Sequence, residues 1–163
     1  MNRMNRVFGL TSLLIISLVL MQTTLYASDS NSDARKDRIV GLWDVEVAIA
    51  NCVTGAPMGS FLALHKFELG GTGQVVPTSS PTALSAHMMI WNHVQKDDYE
   101  MSVKFYRFSP TGTFIGWVVL TNDVSIDKSA NYYSGSGVAE FFDADGIFQF
   151  ASCPSLVGTR FNG

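Results

Sequence analysis

The chain has 163 residues, 47% of them hydrophobic, with 11 basic and 14 acidic side chains and a net charge of −3. Arg3 and Arg6 are the only charges before residue 28, so nine basic and fourteen acidic residues follow and that part carries −5. A moderately acidic, sparsely charged chain excludes the basic footprint of a nucleic-acid binder and electrostatic attraction to anionic lipid headgroups.

Residues 1–27 have the layout of a secretory signal peptide. Arg3 and Arg6 give the positive start, and an apolar run from Val7 to Met21 is broken only by Gly9, Thr11, Ser12 and Ser17. Gln22 to Ala27 is a more polar exit, with cleavage expected between Ala27 and Ser28. The run is too short and too rich in hydroxyls for a spanning helix, which needs roughly 20 apolar residues. No cysteine precedes Cys52, so no lipid anchor is expected. The expectation is therefore a secreted or periplasmic protein with no membrane span after cleavage. Residues 28–38, "SDSNSDARKDR", read as a flexible polar leader, and 39–163 as one domain large enough for a real core.

From residue 39 onward helical periodicity is nearly absent and alternation dominates. Trp43, Val45, Val47 and Ile49 share one face against Asp44 and Glu46. Tyr99, Met101, Val103 and Phe105 do the same against Glu100, Ser102 and Lys104. Seven breaks rich in Gly, Pro, Ser, Asn or Asp separate strands expected at 39–50, 60–69, 73–77, 86–95, 99–108, 113–126, 132–142 and 147–161. Eight successive strands with short connections predict an all-β, up-and-down antiparallel barrel, because closure removes the two free edges of a flat meander. The breaks after strands one and three are the longest, and alternate loops share an end. That end is the expected mouth. Cys52 and Cys153 are the chain's only cysteines and would flank neighbouring strands one and eight. In an oxidising compartment they are expected to form one disulfide.

Gly41-Leu42-Trp43 at the start of strand one resembles the G-x-W motif of the lipocalins and the wider calycin superfamily. In that family the tryptophan closes the barrel base beneath an arginine that follows the last strand, and Arg160 in "GTRF" stands where that partner belongs. The resemblance covers 39–161 in strand count and motif order. It lacks the T-D-Y sequence of the family's kernel group, which points to an outlying bacterial lipocalin-like barrel. It implies structural roles for Gly41, Trp43 and Arg160, and a cavity for one small hydrophobic molecule.

The expected pocket residues are those on inward faces: His65, Phe67, Met89, Trp91, His93, Tyr99, Met101, Phe105, Tyr133 and Phe141, with Arg107 near the mouth. Flexible thioethers and amphipathic rings suit an adaptable apolar pocket, and Trp91 and Met101 are expected to affect binding more than stability. Gly135 and Gly137 share the inward face of strand seven and leave either space or a bend. The histidines His65, His87 and His93 would bind a metal if they converged in the barrel, but no close pair such as H-x-H occurs and His87 sits at a loop edge, so neither metal nor cofactor is expected. No G-x-S-x-G is present, and the aspartates at 97–98 and 143–145 sit in turns. The primary reading is a binding protein for a small hydrophobic molecule. The alternatives are a cofactor-free cyclase or isomerase using His65, His93, Tyr99 and Arg107, an outer-membrane barrel, and a loop-presenting inhibitor. Oligomeric state is not legible, nor is which face of strands two and six points inward.

Overall fold

The computed structural model describes residues 37–78 and 83–162. The signal peptide read over 1–27 and the leader as far as residue 36 lie outside the described residues. The last two residues of that leader, Asp37 and Arg38, belong to a 3-10 turn, Asp37–Ile39, whose Ile39 is fully buried.

Eight strands follow in chain order: β1 (Gly41–Ala50), β2 (Pro57–Glu68), β3 (Thr72–Pro77), β4 (His87–Gln95), β5 (Asp98–Phe108), β6 (Phe114–Ile126), β7 (Tyr132–Phe142) and β8 (Phe148–Arg160). Each pairs antiparallel with its sequence neighbours, and β1 pairs with β8, so the sheet is a closed barrel. Only β2 departs by more than two residues from the expected starts. Asn51 tightens the β1–β2 turn: its side-chain oxygen accepts from the amides of Val53 and Thr54, and its backbone bonds to Ala56 and Gly55. The chain is thereby returned early enough for Ala50 to face Pro57 across a bulge.

Alternation places the core. Trp43, Val45 and Val47 are buried while Asp44 and Glu46 are exposed, and Tyr99, Met101 and Val103 are buried on β5. The barrel half nearest the β2–β3, β4–β5 and β6–β7 turns is filled with large side chains. Phe67, Trp91, Tyr99 and Tyr133 pack edge to face there, with ring centroids 5.9–6.1 Å apart. Glycine makes room for them. A Cβ on Gly158 would stand 2.3 Å from the Tyr133 ring, which Trp43 holds edge-on at 5.0 Å. Gly158→Ala is therefore expected to destabilise by about 1–3 kcal/mol through overpacking, read from the urea midpoint. An unchanged midpoint would mean that the ring moves freely.

The filled end is sealed by Trp43 and Arg160. The guanidinium carbon sits 4.2 Å from the indole centroid, and the guanidinium donates to the carbonyls of Ala130 (2.6 Å), Val40 (2.9 Å) and Arg38. The indole N–H donates to the Ile39 carbonyl at 2.8 Å. Gly41, at φ 138°, has no room for a side chain, since a Cβ would lie 2.6 Å from an Arg160 nitrogen. Arg38 pairs with Asp97 and also donates to the carbonyls of Asp127 and Lys128, tying the turns together. At the opposite end Cys52 and Cys153 form a disulfide with Cα atoms 5.0 Å apart, closing 101 residues of chain.

Candidate functional site

The end of the barrel away from Trp43 is hollow. A cavity of about 280 Å³ opens beside the loops that follow β1, β3, β5 and β7, the end expected to be the mouth. Its wall is mainly aliphatic and aromatic, with Val47 and Ile49 from β1, Phe61 from β2, Val103 and Phe105 from β5, and Val118 and Leu120 from β6. The same inward parity that fills the lower half runs into this one. Here two small residues, Ala139 and Ser152, stand opposite each other on β7 and β8.

Of the residues expected to form a pocket, His65, Phe105, Arg107 and Phe141 line this cavity. Phe67, Met89, Trp91, Tyr99, Met101 and Tyr133 point inward as expected but belong to the packed half. Trp91 illustrates the difference: its indole N–H donates to the carbonyls of Thr72 (2.9 Å) and Glu68 (3.2 Å), which locks it beneath the β2–β3 turn. His93 lies in neither group. It donates to the Lys96 carbonyl at 3.0 Å within the β4–β5 hairpin, with Tyr99 5.1 Å away. The three imidazoles therefore do not converge. No group of three metal-ligating side chains occurs among the described residues.

His87 lines the cavity although sequence reasoning placed it at a loop edge. Its ring stacks on Phe105 with centroids 3.9 Å apart, and Nδ1 donates to the Ser85 carbonyl at 3.0 Å. That bond fixes the proton on Nδ1 and leaves Nε2 as an acceptor in the neutral ring. Burial lowers its pKa, an effect the Ser85 bond opposes.

His65 is buried, and its Nδ1 lies 2.8 Å from the Tyr133 hydroxyl. The hydroxyl has no other hydrogen-bond partner among the described residues, so it donates to Nδ1 and the imidazole carries its proton on Nε2. Burial, and secondarily the nearby His87, lowers the His65 pKa to about 4, while burial raises that of Tyr133. The neutral imidazole is thus built into the fold. A histidine with a depressed pKa contributes stability above its unfolded value, and that contribution is lost as pH falls towards the folded value. Between pH 6.5 and 4 the loss is expected to reach roughly 3 kcal/mol, at 1.36 kcal/mol per pH unit. Urea midpoints measured from pH 7.5 to 4.5 should fall more steeply in the parent than in His65→Leu. Parallel curves would place the acid sensitivity elsewhere.

Arg107 stands at the rim, its guanidinium carbon 5.4 Å from the Phe141 ring. Its backbone bridges to Leu84, which also lines the cavity.

No family model matches the sequence, and no curated protein does. Among solved structures, the crystal structure of Rv2717c from M. tuberculosis aligns with 77% of this chain and 94% of its own, at 12% identity and a TM-score of 0.39.

Proposed function

We propose that this protein is an exported, lipocalin-like carrier that holds one small hydrophobic molecule in the open half of its barrel. The observation that carries the reading is the apolar cavity at the mouth, set above a fully packed base. At about 280 Å³ it lies just under the usual range for small-molecule sites, so the ligand is compact. The Trp43–Arg160 contact at the base supports the lipocalin likeness. The signal-like residues 1–27 and the disulfide together support export into an oxidising compartment. N-terminal sequencing of the exported protein is expected to begin at Ser28. Charged outer-face residues such as Asp44, Glu46 and Glu100, around an apolar interior, argue against a membrane-spanning barrel, which needs an apolar outer band.

Catalysis is the weaker reading. His65 lines the cavity and is bonded to Tyr133 in the packed half, but an imidazole with a pKa near 4 is a poor base at neutral pH. Binding is tested by titrating a fluorescent hydrophobic dye into the parent and into Ala139→Phe, whose ring would occupy the cavity. The parent should bind, and the variant should bind about tenfold more weakly or worse. Absence of dye binding by the parent, or equal binding by both, overturns the proposal.

A further inference from the structure

Arg107 is the cation on the cavity lining, and the other described basic residues are engaged or distant. Arg38 pairs with Asp97 and Lys66 with Glu68. Arg160 is held by carbonyls and Trp43 at the closed end, and Lys104 lies over the rings of Tyr106 and Trp117. Lys96 and Lys128 sit in the closed-end turns, outside the strands that frame the mouth. Arg107 differs from all of them in standing on the cavity lining. Among the described residues it has no carboxylate and no hydrogen-bond acceptor, only the Phe141 face beneath it.

Among the described residues, no carboxylate of the mouth pairs with Arg107. The loop sequences 51–56, 78–86 and 109–113 contain no Asp or Glu. Asp143 and Asp145 lie in the fourth loop. The Asp143 carboxylate is occupied by the amides of Asp145 and Ile147 and by the Gln149 side chain at 2.7 Å. A guanidinium beside an apolar cavity in an acidic protein is an unmatched half of a charge pair. A guanidinium presents parallel N–H donors that fit a carboxylate in two-point contact, and a low-dielectric wall strengthens that contact.

We infer that the ligand is a small organic monocarboxylate, its apolar body in the cavity and its carboxylate on Arg107 at the rim. The inference rests on the cavity being the binding site. One guanidinium suits a single negative charge. No second cation and no helix N-terminus stands at the mouth among the described residues to share the charge of a phosphate. The volume equals about nine waters at roughly 30 Å³ each, which matches a body of about eight carbons with the head group at the opening.

Octanoate, 1-octanol and octylammonium share such a body and differ in head group. Calorimetric titration of the full-length protein with each is expected to give octanoate an affinity about tenfold or more above octanol, with octylammonium weakest. In Arg107→Met the octanoate advantage should vanish while octanol binding stays within about twofold, and Arg107→Lys should restore part of it. Equal binding of octanoate and octanol by the parent overturns the carboxylate assignment and leaves the cavity reading intact. So does an equal weakening of both in Arg107→Met, or a preference for octylammonium. Failure of all three probes, together with the dye, overturns both.

Discussion

Trp43→Ala is expected to cost about 3–5 kcal/mol, the largest effect of any single side-chain truncation in this barrel. The indole is fully buried, donates to Ile39, meets Tyr133 edge-on and carries the Arg160 guanidinium on its face. Its loss would open a void under the filled half and strip the ring from a cation held by three carbonyls. Arg160→Ala is expected to cost less, about 1–2 kcal/mol, because the indole stays packed while a cation–π contact and hydrogen bonds disappear. The double variant should fall short of the sum, since the two groups touch. Urea titrations of the four proteins measure the coupling, and dye affinity at low urea measures the site. Loss of dye binding by Trp43→Ala without loss of stability would move the indole into the pocket and reverse the two ends.

Removing the disulfide ranks second. Cys52→Ala with Cys153→Ala is expected to lower stability by about 2–5 kcal/mol, with the chain-entropy model giving roughly 4.7 for a loop near 100 residues. The bond crosses the β1–β8 seam at the mouth, where Cys153 faces Ala50. Its loss should therefore loosen the cavity end and weaken dye binding as well as stability. Thiol titration of unfolded, unreduced protein checks the premise. Two reactive thiols per chain would contradict the bond, and an unshifted urea midpoint would show that it contributes nothing.

The strand plan was legible because the chain alternates cleanly. Trp43-Asp44-Val45-Glu46 and Met101-Ser102-Val103-Lys104 announce their faces, and the Gly and Asp turns punctuate them. The inward direction of the aromatic and methionine residues was likewise correct. Depth was not legible. Periodicity states which face a residue takes but not how far along the barrel axis it sits, and that axial position separates Tyr99 and Met101 in the packed half from Phe105 and Arg107 in the cavity. The parity of strand six was also left open. For that reason Val118 and Leu120 were missed as wall residues, and Asn122 was missed as a buried amide with no partner among the described residues. His87 was passed over because a loop edge in sequence became a wall once Phe105 stacked on it.

The β1–β8 seam also bears on how the chain reaches this state. Trp43 faces Arg160 and Ala50 faces Cys153 across it, so barrel closure joins residues from opposite ends of the domain. The other rungs join sequence neighbours and can form as hairpins, but this one must wait until all eight strands exist. Contacts of such long sequence separation carry the largest loop-closure entropy and place all-β chains among the slow folders, in the millisecond-to-second range. Until the seam shuts, β1 and β8 are open edges and the apolar interior faces water. Asp44 and Glu46, exposed on β1, then guard that edge against pairing with a neighbouring chain.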